Sequence, residues 1–143
     1  MSDHLTHYHW KKLENMAQKN VLCDTGIIIN ILRKDLKIIQ SVDEIGRDNL
    51  YISVITLSEV YNGTRKRERK ETLSLLNSIN LLHIDKLISK RFKSLCSYFF
   101  MKDNTIHLED LLIAATAIEY GFELYTLNKK DFSTIPGIKL YKP

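Results

Sequence analysis

Asp24 comes directly after the apolar run Val21-Leu22-Cys23, and Glu59 lies a few residues after the β-branched stretch ending at Ile55. Asp110 stands in the opening turn of an Ala-rich segment, and Asp131 closes the turn-prone Asn128-Lys129-Lys130-Asp131 that follows Leu127. Each position has an ordinary structural use. Asp24 suits the cap of a helix beginning near Ile27, Thr56-Leu57-Ser58-Glu59 matches a Thr-x-x-Glu capping box, Asp110 gains from the dipole of the helix it opens, and Asn128 to Asp131 reads as a turn. Their shared address gives them chemical weight. All lie at strand-to-helix junctions or in first helical turns, and a parallel sheet gathers such junctions at one edge. Carboxylates brought together there repel one another and any phosphate. A divalent cation such as Mg²⁺ or Mn²⁺ resolves that conflict, because it takes hard oxygen ligands and bridges protein carboxylates to phosphate oxygens. It also lowers the pKa of bound water enough to make a nucleophile near neutral pH.

The elements that would position these residues follow from the spacing of apolar residues. Strands are expected over 21–23, 50–55, 81–84, 123–127 and 138–141, and helices over 27–33, 35–45, 57–62, 66–79, 86–101 and 108–120. In the second helix Leu36, Ile39, Val42 and Ile45 are expected to face inward, with Gly46 as its stop. Strands alternating with helices require crossover connections, and so a mostly parallel sheet between helix layers: an α/β fold. No internal repeat or linker divides the chain, whose 143 residues suit one hydrophobic core.

Composition narrows the functional classes. Five Gly and two Pro exclude collagen-like, linker-like and Pro-rich disordered chains. No apolar run reaches the roughly 20 residues that a membrane-spanning helix needs, and residues 1–20 lack the apolar core of a secretory signal. Cys23 and Cys96 show no paired metal spacing and read as reduced core thiols, which suits a cytoplasmic protein. A net charge of +4 permits an anionic partner without demanding one. The run Arg65-Lys66-Arg67-Glu68-Arg69-Lys70 is either a solvated helix face or a surface for phosphates. His4, His7 and His9 lie in a polar tail, whereas His107, three positions before Asp110, is near enough to the acidic positions to touch substrate, although a plain loop residue remains the alternative.

Four blocks carry a family resemblance: Val21-Leu22-Cys23-Asp24-Thr25-Gly26-Ile27-Ile28-Ile29-Asn30, Ile52-Ser53-Val54-Ile55-Thr56-Leu57-Ser58-Glu59-Val60, Glu109-Asp110-Leu111-Leu112-Ile113-Ala114-Ala115-Thr116-Ala117 and Tyr125-Thr126-Leu127-Asn128-Lys129-Lys130-Asp131-Phe132. In that order they resemble the motifs of the PIN-domain nucleases, most closely the VapC-type toxins of toxin–antitoxin pairs. The resemblance implies a PIN-like three-layer α/β/α sandwich over 19–143 and a Mg²⁺- or Mn²⁺-dependent endoribonuclease. Asp24, Glu59 and Asp110 match the family's acidic, metal-holding positions, and Thr126 matches a polar residue near the site. At the fourth acidic position Asn128 stands where many members carry Asp, while Asp131 belongs to the recurrent Asp-Phe pair, so either can fill it and one or two metals remain open. The resemblance further implies a homodimer, a cognate antitoxin, and a basic surface holding the RNA backbone, for which Arg65, Lys66, Arg67, Arg69 and Lys70 are the candidates. A PIN-like module that binds RNA or protein without cutting is the alternative. The Asp24-Thr25-Gly26 triplet also occurs in aspartic proteases, but those folds are rich in strands and Gly, unlike this chain. Residues 1–18 form a polar extension, and Met16 could itself begin an ordinary family N-terminus.

Overall fold

A computed structural model describes residues 19–143, so the expected extension over 1–18 lies outside the described residues. From Val21 the chain repeats one pattern, a short strand followed by helices. β1 (Val21–Cys23) leads to α1 (Thr25–Leu32) and α2 (Leu36–Ile45), and β2 (Leu50–Ser53) to α3 (Val54–Gly63) and α4 (Arg69–Ser78). β3 (Asn80–Leu82) leads to α5 (Lys86–Met101) and α6 (Leu108–Tyr120), and β4 (Glu123–Tyr125) to the single turn α7 (Lys129–Phe132). The four strands form one parallel sheet in the order β3-β2-β1-β4.

Side-chain alternation along β1 builds the layers. Leu22 packs with Ile88, Leu95, Phe99, Ile113 and Leu124, the side covered by α5 and α6, while Val21 and Cys23 pack with Ile27, Ile28, Val42, Ile52 and Val60 on the opposite side. Successive strand residues point to opposite faces, so three consecutive apolar residues commit β1 to a sheet buried on both sides. Ala114, Ala115 and Ala117 are fully buried, and their small side chains let α6 lie close against its neighbours. The arrangement is the expected α/β/α sandwich.

Several boundaries differ from the sequence expectation. The second strand stops at Ser53 because its hydroxyl accepts from the Thr56 N–H at 3.1 Å and caps α3, which therefore starts at Val54 and not at Leu57. The basic segment is a short 3₁₀ turn, Lys66–Glu68, ahead of α4, not one continuous helix. In α2 Val42 is buried and Ile45 packs against the core as expected, and Ile38 and Ser41 are buried with them, whereas Ile39 is only partly covered and Leu36 is 78% exposed. Asp35 caps that helix through the N–H groups of Lys37 and Ile38, which sets the helix phase and leaves the first residue outside the packed face. The expected last strand is one parallel bridge between Leu124 and Leu140, with the Tyr141 N–H donating to the Leu124 carbonyl at 2.8 Å.

Candidate active site

β2 and β3 lie on one side of β1 and β4 on the other. The connections therefore diverge between β1 and β4, the switch point where open α/β sheets hold their ligands beyond the carboxyl ends of the strands. Asp24 and Thr126 occupy that crevice. The Asp24 N–H donates to the Tyr125 carbonyl at 2.9 Å, which extends the β1–β4 pairing to the acidic residue itself. One Asp24 carboxylate oxygen, Oδ1, accepts from the Thr25 N–H at 2.8 Å, and the other, Oδ2, from the Thr126 hydroxyl at 2.8 Å. Thr126 also accepts from the Asn128 N–H at 3.0 Å. Asp24 is thus both the cap of α1 and a carboxylate fixed at both oxygens.

Glu59 does not serve the capping box its spacing suggested. Ser53 caps α3, so the Glu59 carboxylate is left to accept from the Thr25 hydroxyl at 2.7 Å, with Thr56 also within reach of that hydroxyl at 3.3 Å. Sequence reasoning named neither Thr25 nor Thr56 as a site residue. The available signal was a hydroxyl directly after Asp24, where a helix start turns it toward the next strand's junction. Asp110 opens α6 as expected. Asn128 heads α7 without a side-chain cap and donates its amide to Asp131 Oδ2 at 3.0 Å.

Electrostatics ties these positions together. Burial pushes the Asp24 carboxyl above the usual carboxylate range, against the opposing hydrogen bonds from Thr126 and Thr25. Asp110 is pushed up to about 6, first by burial, then by the negative charge of Asp24; Glu59 and Asp131 add to the effect and His107 opposes it. Among the described residues the ion pairs are Lys19–Glu123, Arg67–Glu68 and Arg91–Glu119, so no lysine or arginine neutralises the cluster. Among those residues, no three Asp, Glu, His or Cys side chains stand close enough to grip an ion directly. The fit to a hard divalent cation accordingly rests on charge and donor type: carboxylate oxygens with unneutralised negative charge. Cys23, next to Asp24, is no competitor as a ligand, because burial and then the Asp24 charge push its thiol up to about 12.

The basic run stands apart from this cluster. Arg33 and Arg65 line a cavity of about 370 Å³ where α1 and α3 end. At 1.5 Å per residue Arg33 lies about 13 Å along the helix direction from Asp24. Arg65, Lys66, Arg67, Arg69 and Lys70 are all exposed.

Residues 21–138 match the model of the PIN domain. Ribonuclease VapC1 of Methanocaldococcus jannaschii is 30% identical over 134 residues, covering 92% of this chain and 93% of that protein. Among solved structures, a toxin–antitoxin complex from Klebsiella pneumoniae superposes with a TM-score of 0.72 at 30% identity, covering 87% of this chain and 100% of the matched one. VapBC2 from Rickettsia felis, bound to a DNA fragment from its promoter, gives 0.76 at 23% identity, covering 85% and 96%; at that identity the likeness concerns the fold.

Proposed function

Because this chain belongs to the PIN domain family, we propose that it is an endoribonuclease that hydrolyses RNA phosphodiester bonds, and the toxin of a toxin–antitoxin pair with a small cognate antitoxin as partner. The observation that carries the reading is the coupling of Asp110 to Asp24, Glu59 and Asp131 in a cluster that no lysine or arginine among the described residues neutralises. The names of the relatives, a ribonuclease and a toxin–antitoxin complex, support it. The alternative of a binding module without catalysis has no comparable support, since a surface that only held RNA would gain nothing from carboxylates that repel its phosphates.

Asp24, Asp110 and Glu59 would hold Mg²⁺ or Mn²⁺ in part through the ion's own waters, with Asp131, steadied by Asn128, as the further carboxylate. When bound, such an ion supplies an activated water and neutralises charge developing on the phosphate. The chain's own residues provide position. Thr126 and the Thr25 N–H fix both oxygens of Asp24, the Thr25 hydroxyl orients Glu59, and the first turn of α6 presents Asp110. Arg65, Lys66, Arg67, Arg69 and Lys70 would contact the RNA backbone away from the cut, which divides positioning from chemistry. A cytoplasmic site of action is consistent with RNA as substrate; no helix among the described residues is long and apolar enough to cross a membrane.

The test is cleavage of cellular RNA by the purified protein. Cleavage should require Mg²⁺ or Mn²⁺, stop with EDTA, and disappear in Asp24→Asn, with Glu59→Gln less severely affected. Expression of the wild type alone should slow growth, and expression of Asp24→Asn should not. Wild-type cleavage by folded Asp24→Asn would remove the assignment.

A further inference from the structure

Beside the carboxylate cluster lies a cavity of about 150 Å³ walled by Asn104, Thr105, Ile106 and His107, and Asp110 and Asp131 line it as well. The cavity and the acidic cluster therefore share a wall. The loop that forms it is tied down at both ends. At α5, Asp103 takes a left-handed conformation with φ 51°, and the Asn104 N–H donates back to the Phe99 carbonyl at 3.1 Å. At α6, Ile106 is partly buried against the core, and His107 occupies the cap position without its side chain making a capping hydrogen bond. The imidazole is exposed and left for another partner.

The lining decides what fits. No lysine or arginine lines the cavity, and two carboxylates do, so an anion is repelled. An amide with donor and acceptor, a hydroxyl, an apolar wall and an imidazole face suit a neutral planar heterocycle with a polar edge. Single-stranded RNA is read in this way, with splayed bases stacked on aromatic rings and hydrogen-bonded along their edges. We propose that this cavity seats the nucleobase next to the scissile phosphate, and that Asn104, Thr105 and His107 set the sequence preference of cleavage. The inference rests on the ribonuclease reading above.

The experiment compares cleavage of an RNA pool randomised around the cut by wild type, Asn104→Ala, Thr105→Val, His107→Ala and His107→Phe. Preference is read as a ratio between sequences within one pool, which is independent of how much enzyme is folded. In the Ala and Val variants discrimination at one position flanking the cut should fall about tenfold, the size of a lost stacking or edge contact, with the loss in KM rather than kcat. His107→Phe should recover the stacking share. A wild-type preference profile in all the variants, or an equal loss of rate on every sequence, would overturn the proposal. Absence of RNA cleavage by the wild type under either metal would instead overturn the ribonuclease reading, and this inference with it.

Discussion

Asp110 resists ionisation because it is partly buried among other negative charges. Its carboxyl is raised from the ordinary 3.8 to about 6, so between those values the folded chain holds a proton that the unfolded chain has lost. Stability must therefore fall as pH rises through that window and level off above it. Asp110→Asn removes the penalty. Its melting temperature should exceed that of the wild type by a few degrees near pH 8, and the gap should close toward about pH 4; thermal melts across that range check the sign. Added Mg²⁺ or Mn²⁺ should narrow the gap near pH 8 by stabilising only the wild-type cluster. A carboxylate cluster held at a cost in stability is a common price of function.

At the scale of elements, α6 carries the site at one end and its stop signal at the other. Gly121 ends the helix at φ 70°, and a Cβ added there meets nothing within 4 Å. Gly121→Ala should thus cost only backbone strain, about 1 kcal/mol, and leave RNA cleavage intact, because Asp110 lies eleven residues, about 16 Å, along the same helix. Urea unfolding and a cleavage assay separate the two effects. The basic run leading into α4 makes the opposite prediction. Neutralising Arg65, Lys66, Arg67, Arg69 and Lys70 together should weaken RNA binding and flatten its salt dependence by about one unit of slope per lost phosphate contact, with turnover at saturating RNA less affected. An unchanged slope would mark the run as a solvated face.

For the whole molecule, the strand order β3-β2-β1-β4 makes β1 central and puts Asp24 at the switch point. Within 19–143 the central strand is paired on both sides, by β2 and β4, and Lys19 pairs with Glu123 at 3.2 Å. A chain beginning at Met16 is therefore expected to fold and to cut RNA, with stability changed by no more than about 1 to 2 kcal/mol. An insoluble or inactive product would show that residues before Met16 belong to the core or to an interface.

Local order was legible in the sequence. Apolar runs and their stops located α5 and α6 to the residue, and adjacency to β1 placed Asp24 at a strand end, because these features depend on neighbours a few positions apart. The acidic set was legible as residue types at junctions, with the family resemblance adding which of them belong together. Other assignments lay beyond local information. Whether Ser53 or Thr56 caps α3 decides if Glu59 is spent on a helix or free for the site, and both spacings satisfy the capping rule. The bond between Asp24 and Thr126 spans 102 positions, and exists because β1 chose β4 as a neighbour. The cavity at Asn104 and His107 likewise depends on the α5–α6 loop meeting α7. Strand pairing and helix packing join residues far apart in the chain, so their outcome is set by the burial of the whole core, and only the tertiary structure decides which side chains meet.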